Sequence, residues 1–158
     1  MSSSRPLRAL PPASPVFDPS SDPYSTLIPN GDYQVGLIDE QRQTLFGRDT
    51  WRTLWRVVHG EHFGAELFAW WAVPKGQRFG PRNAFAAAVA IAIERRAPRD
   101  LTRHRPSHFC GDCQFLARVR EVRHDSNGVE RPELARYSRL AYLIQRLDGT
   151  PPALRGPS

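Results

Sequence analysis

Lysine is almost absent from this sequence, and long apolar runs are absent altogether. Lysine occurs once, at Lys75, so the formal net charge of +6 comes almost wholly from arginine. The longest apolar candidate, residues 84–93, is about half as long as the ~18 residues that a membrane span requires. The start, MSSSRPLRALPPASP, has no continuous apolar segment of a secretory signal. We therefore predict a cytoplasmic protein with no membrane partner.

Sequence signatures of the common enzyme classes are also missing. None of the patterns GxxxxGK[ST], HExxH, GxSxG and GxGxxG occurs, and no pair of carboxylates stands out. Gly76 to Gly80 (GQRFG) precedes a predicted helix, but it lacks the Lys-Ser/Thr pair of a phosphate-binding loop. The sequence therefore favours a protein that is not an enzyme.

The length and the proline distribution indicate one folded domain with flexible ends. A chain of 158 residues is typical of a single domain. Residues 1–23 are rich in proline and serine and have almost no apolar periodicity, which predicts a disordered arm. Residues 149–158 (GTPPALRGPS) are predicted to be a flexible tail, which leaves residues 24–148 as the domain.

Most of the domain has the alternating apolar pattern of β-strands. The polar residues 39–49 are predicted to form a loop, and Asn83 is a good N-cap for a helix that starts at Ala84. Residues 136–147 fit a helix by the spacing of Leu140, Leu143 and Leu147, but a strand is preferred at their start. The predicted strands are Gly31 to Ile38, Trp51 to His59, Phe63 to Val73, Cys113 to Arg123 and, less firmly, a segment beginning at Tyr137.

The predicted element order is β-β-β-α-β-β. This order is typical of the OB-fold, a small five-stranded barrel that binds oligonucleotides on strands 2 and 3 and on the loops between strands 1–2 and 4–5. We therefore predict a mainly β, OB-like barrel with one helix. An α+β fold is the alternative.

Arginine is concentrated in one part of the chain. Residues 95–123 contain eight arginines against Asp100, Asp112 and Glu121. A concentrated basic segment is the usual footprint of a polyanion site. A solvated surface that only adds solubility would have the same composition, so both interpretations are kept.

Aromatic residues and arginines alternate in the second and third predicted strands. Neighbours on a strand point to opposite faces, so the adjacent residues Trp70 and Trp71 cannot both be in the core unless both faces are covered. Exposed aromatics could stack on unpaired bases, and arginines could contact phosphates. In the fourth strand, two arginines lie opposite the apolar face. The predicted nucleic-acid-binding residues are Trp51, Arg52, Trp55, Arg56, Phe68, Trp70, Trp71, Arg118 and Arg120.

A second group of residues could bind a metal. His104, His108, Cys110 and Cys113 lie within ten positions of each other, and zinc accepts Cys and His ligands. The ligands are crowded compared with those of a zinc finger. Buried apolar cysteines and a redox C-x-x-C are alternatives. We expect no cofactor, with zinc as the alternative.

Three short motifs resemble a family. They are P-x-G-x-Y from residue 29, W-x-x-x-W-x-V-V-x-G-x-x-F-G at residues 51–64, and R-Y-S…GTPP at residues 136–152. Together they resemble small proteins of proteobacterial phages and integrative elements, which are broadly similar to phage-type OB-fold single-strand-binding proteins. The resemblance implies a role in a mobile genetic element, and it assigns no functional residue.

These observations predict a protein that binds single-stranded DNA or RNA without sequence specificity. The alternative is a module of a phage or integrative element that binds other proteins through its arginines and aromatics. Replication or recombination proteins are further candidate partners, and self-association into a homo-oligomer is left open.

Overall fold

The computed structural model describes residues 26–75, 83–124, 127–132 and 135–155. The predicted arm at residues 1–23 lies outside this part of the chain. The elements are β1 (Gly31–Leu45), β2 (Arg48–Val57), β3 (Glu66–Ala72), α1 (Ala84–Ile93), a 3₁₀ turn (Leu101–Arg103), α2 (Ser107–Cys110), β4 (Gln114–Val122) and β5 (Tyr137–Leu147). The prediction of a mainly β fold with one main helix is confirmed.

The five strands form one antiparallel sheet in the order β3-β2-β1-β4-β5. The sheet is open, with β3 and β5 as its edges. Flat strands lie about 4.8 Å apart, so the edges of a flat sheet of this width would be far from each other. Here Cα atoms of β3 and β5 approach within 8 Å, so the sheet is strongly curled.

The core lies on the concave face of the curled sheet, which we call the inner face. Trp55 is fully buried there, and its indole N–H donates to Thr53 Oγ1 at 2.8 Å. Trp71 stacks on Phe85 of α1 with ring centroids 5.9 Å apart. The predicted inward set of β4, Phe115, Ala117 and Val119, is also fully buried.

The polar segment 39–49 was predicted to be a loop, and this prediction is wrong. β1 continues to Leu45, and β2 begins at Arg48. The two strands pair along this length, for example Arg42 with Trp51 and Gln43 with Thr50. Part of this hairpin extends beyond the core, so its side chains meet water on both faces. The apolar alternation that marks a strand is therefore lost there.

Residues 137–147 form a strand along their whole length, which resolves the choice between strand and helix. Leu140 and Leu143 are both buried, although they are three positions apart. The register with β4 skips Ala141 and Ile144. Such β-bulges insert an extra residue and change the local period from two to three. The apparent helical spacing is therefore produced by bulges.

The helix α1 begins as predicted. The Asn83 side chain accepts a hydrogen bond from the backbone N–H of Ala86 at 2.9 Å, and the helix ends at the left-handed residue Glu94. Leu101 and Cys110 of the following connection enter the core. No helix among the described residues is long and apolar enough to cross a membrane.

Candidate nucleic-acid interface

Strand alternation creates a second, convex face of the sheet, which we call the outer face. On β2, Arg52, Leu54 and Arg56 point away from the core tryptophans. Their partners on β3 are Trp70, Phe68 and Glu66, respectively. Since these residues alternate with core positions, the sheet itself fixes where they point.

Arg52 lies at the centre of this arginine–aromatic group. Its Nη2 donates to Gln41 Oε1 on β1 at 2.5 Å, and its guanidinium carbon lies 4.9 Å from the ring centroid of Phe68. Phe68 also contacts Trp70, with ring centroids 5.5 Å apart. Phe68 is only 8% exposed, whereas Trp70 is partly exposed. Arg52 and Trp70 therefore form a half-exposed pair beside each other on the outer face.

The β1–β2 hairpin ends in an exposed aromatic side chain. Phe46 is 81% exposed, and its backbone has a positive φ of 52°. Gly47 follows with a φ of 74°, so both turn residues are left-handed. This conformation costs a non-glycine residue about 1–2 kcal/mol. The next residue, Arg48, is exposed.

The sequence analysis missed Phe46 because it placed the residue inside a loop. A signal was present: a two-residue hairpin turn with two positive φ angles prefers glycine, often in second place. Phe46-Gly47 between two strands fits that pattern with an aromatic in first place. Strained backbone of this kind is concentrated at functional sites.

The segment 149–155, which we call the C-terminal strap, crosses the outer face. The amide of Gln114 on β4 donates to the Thr150 carbonyl at 2.6 Å. At the other end, the backbone N–H of Arg155 donates to the Ile38 carbonyl at 2.7 Å. The Arg155 side chain pairs with Glu66, which also pairs with Arg56 at 3.3 Å. The strap therefore runs from β4 over β1 to β3.

The strap separates the hairpin from the outer face of β4 and β5. On that side, Arg118 forms an ion pair with Asp32 at 2.6 Å. Arg120 is exposed, and its guanidinium carbon lies 5.5 Å from the ring centroid of Tyr142, which is 46% exposed. The structure thus places Arg118 and Arg120 on the predicted face. They are not contiguous with Arg52 and Arg56.

Most of the predicted aromatic platforms are buried. Trp51, Trp55 and Trp71 belong to the inner-face core, with 7%, 0% and 3% exposure. α1 covers part of this face, and Phe68 is covered on the other. These four rings are therefore packed inside the protein, whereas the sequence analysis proposed them as exposed stacking platforms. Among the predicted aromatics, only Trp70 is partly exposed.

The predicted metal ligands are divided between surface and core. His104 Nδ1 lies 3.2 Å from His108 Nδ1, and His104 Nε2 lies 3.2 Å from Asp100 Oδ2. Cys110 and Cys113 are buried core residues with free thiols. Burial raises the pKa of both thiols, that of Cys113 to about 11. Within the described ranges, no group of three or more His, Cys, Asp or Glu residues is arranged to hold a metal ion.

The basic connection between α1 and β4 does not continue the arginine pair of β4. Arg105 lies 3.6 Å from Glu40, whose carboxylate also accepts from the Ser107 backbone N–H at 2.8 Å. Glu40 is opposite the buried Thr53, and therefore belongs to the inner side of the hairpin. Arg105 is thus anchored on the side of the sheet away from Arg118 and Arg120.

Comparisons with protein-family models, with curated proteins and with solved structures found no match to this chain.

Proposed function

We propose that this protein binds single-stranded nucleic acid along the outer side of the β1–β2 hairpin. The observation that carries the proposal is the row of arginine and aromatic side chains that ends in a strained, 81% exposed Phe46. Arg48 and Arg52 provide charges for phosphates, and Trp70 and Phe46 provide faces for bases. Base–aromatic stacking contributes about 1–3 kcal/mol per base and tolerates any base. The binding is therefore independent of sequence and involves no bond making or breaking.

We further propose that the fold is OB-like. Strands β3 and β5 are the edges of the open sheet, and they approach each other in space. Closing the sheet at these edges would give a five-stranded barrel with α1 between the third and fourth strands. In an OB-fold, β-strands 2 and 3 and the loop between β-strands 1 and 2 bind the oligonucleotide. The corresponding elements here contain Arg52, Trp70 and Phe46.

The resemblance to proteins of phages and integrative elements agrees with this function. Mobile elements expose single strands when they replicate or recombine. A protein with the proposed surface would protect such strands or present them to other proteins. The role in a mobile element rests on the sequence motifs alone.

The proposal is tested by titrating the protein with oligothymidine and oligouridine of about 15 nucleotides. Fluorescence anisotropy of a labelled oligonucleotide is followed at several salt concentrations. With about two phosphates neutralised by Arg48 and Arg52, the slope of log K against log salt should be about −1.4 or steeper on a single strand. Affinity that does not depend on salt would contradict the proposal. Comparison of the two oligonucleotides separates DNA from RNA.

The same titration has an intrinsic reporter. Three of the four tryptophans are buried, so only Trp70 can respond directly to a stacked base. Quenching should therefore disappear in Trp70→Phe, while anisotropy still detects binding. If the wild-type protein shows no binding, the interaction-module alternative gains weight. Light scattering and a nuclease-resistant pull-down would then test for a protein partner.

A further inference from the structure

Two arginines face each other directly across the outer side of β4 and β5. Arg120 and Arg139 are register partners, and both side chains are exposed. Within the described part of the chain, neither arginine forms an ion pair, and the guanidinium of Arg120 contacts the ring of Tyr142. Like charges directly opposite each other destabilise a sheet. The fold therefore carries an unfavourable pair that an anion between the two guanidinium groups would relieve.

An aromatic side chain lies beside this pair. Tyr142 is 46% exposed, and the guanidinium carbon of Arg120 lies 5.5 Å from its ring centroid. Next to it, Arg118 is already neutralised by Asp32. The local chemistry is two uncompensated arginines and one half-exposed ring. This combination suits a phosphate and a neighbouring base.

We propose that this group, which we call the β4–β5 surface, is a second binding surface for the same single strand. It consists of Arg120, Arg139 and Tyr142. The inference rests on the proposed function of the hairpin. The C-terminal strap lies between the two surfaces, so the bound nucleic acid must cross the strap to reach both of them. A short strand reaches only one of the two surfaces, and we expect it to bind at the hairpin.

The distance between the two surfaces sets the length of strand that can reach both. Arg52 is opposite Gln41 of β1, and Tyr142 is opposite Arg118, which in turn is opposite Asp32 of β1. These positions are about 30 Å apart along a strand. At about 3.4 Å per nucleotide, a stacked strand needs roughly nine nucleotides to cover this distance. This length falls within the ~4–16 nucleotides that OB-folds occupy.

The test compares labelled oligothymidines of about 5 and about 15 nucleotides, because only the longer one can reach both surfaces. For the wild-type protein, we expect the longer strand to bind at least tenfold more tightly. In the double variant Arg120→Gln, Arg139→Gln this gain should be lost, and the salt slope for the longer strand should fall by about 1.4. Binding of the short strand should be unchanged.

The matched control is Arg95→Gln, Arg96→Gln, which removes the same charge from two exposed residues after α1. It should keep the length-dependent gain. An equal loss in both variants would show a general effect of net charge and would overturn the proposal. A wild-type protein that binds both lengths equally would overturn it as well, while the hairpin function would stand. If neither oligonucleotide binds, both proposals fail.

Thermal unfolding combined with binding gives a second test. A purely structural role would not weaken binding while it raises the melting temperature. Arg139→Glu converts the repulsive pair into an attractive one. It should raise the melting temperature and, at the same time, weaken binding of the longer strand. A variant that is less stable and binds normally would contradict the assignment. Tyr142→Ala should lower the affinity for the longer oligothymidine about tenfold and leave the salt slope unchanged.

Discussion

The ring of Pro152 occupies the space that a Cβ atom on Gly36 would fill. A Cβ built on Gly36 would overlap the Cγ and Cδ atoms of Pro152. Gly36 lies opposite Arg56 at the centre of the sheet, and Ile38 beside it accepts a hydrogen bond from the end of the strap. The strap is therefore positioned by the close packing of Pro152 on Gly36 and by the backbone hydrogen bond from Arg155 to Ile38. It crosses the outer face beside the fully buried Ile38.

Gly36→Ala should displace the strap. Overpacking in a closely packed site typically costs about 1–3 kcal/mol, and we expect a loss of this size in the free energy of unfolding. Limited proteolysis should cut the strap faster in the variant than in the wild-type protein. Gly31→Ala is the control, because its Cβ would meet Tyr33 at an ordinary distance of 3.7 Å. A stable Gly36→Ala protein with a protected strap would show that the contact is not needed.

Replacing Phe46 should improve stability and weaken binding together. Asparagine adopts a positive φ more easily than phenylalanine, so Phe46→Asn should stabilise the hairpin by about 0.5–1 kcal/mol. Oligothymidine affinity should fall by roughly 5- to 100-fold, since one stacking contact is lost. Phe46→Tyr keeps the ring and should retain affinity. Thermal unfolding and anisotropy measure the two effects separately, and unchanged affinity in Phe46→Asn would remove the tip from the site.

Arg52 should contribute more to binding than to stability. Arg52→Ala removes a guanidinium that contacts Gln41 and the Phe68 ring on a half-exposed surface. We expect affinity for oligothymidine to fall about tenfold and the salt slope to fall by about 0.7. Arg42→Ala is a matched control on the same hairpin, because Arg42 is already paired with Asp49. Equal losses of affinity in the two variants would contradict a specific role for Arg52.

The two thiols should be unreactive in the native protein. Burial raises the pKa of Cys113 to about 11 from 9.0, so the thiolate is a minor species at pH 8. A thiol reagent should modify both cysteines only after denaturation. The free energy of unfolding should also fall between about pH 9 and pH 11, because the unfolded state loses the Cys113 proton first. Cys113→Ala should reduce this fall. Rapid labelling of native protein would contradict the burial.

The inner face of the sheet was predictable because its signal is local. Period-2 alternation is a property of neighbouring residues, and it identified Phe115, Ala117 and Val119 as one buried set. The N-cap of α1 at Asn83 was predictable for the same reason. Local patterns failed where the chain departs from a regular strand. The bulges in β5 produced an apolar spacing typical of a helix, and the polar part of the hairpin lacked the apolar alternation of a strand.

The candidate site was predicted only in part. Alternation correctly placed Arg52 and Trp70 on the face opposite Trp51 and Trp71. Whether that face is covered depends on distant parts of the chain, since α1 covers one side of the sheet and the strap covers part of the other. Exposure is thus a property of the assembled structure. The number of tryptophans in the sequence suggested more exposed rings than the structure has.

The sequence by itself determined that the chain is mainly β, which residues form the inner core of β4 and where the helix begins. These features follow from interactions between near neighbours in the chain. Only the tertiary structure decided that Phe46 stands exposed at a hairpin tip, that Pro152 covers Gly36 and that Arg120 faces Arg139. Each of the last two relationships joins residues far apart in sequence. Strand register and curling of the sheet bring them together, and no local pattern encodes either.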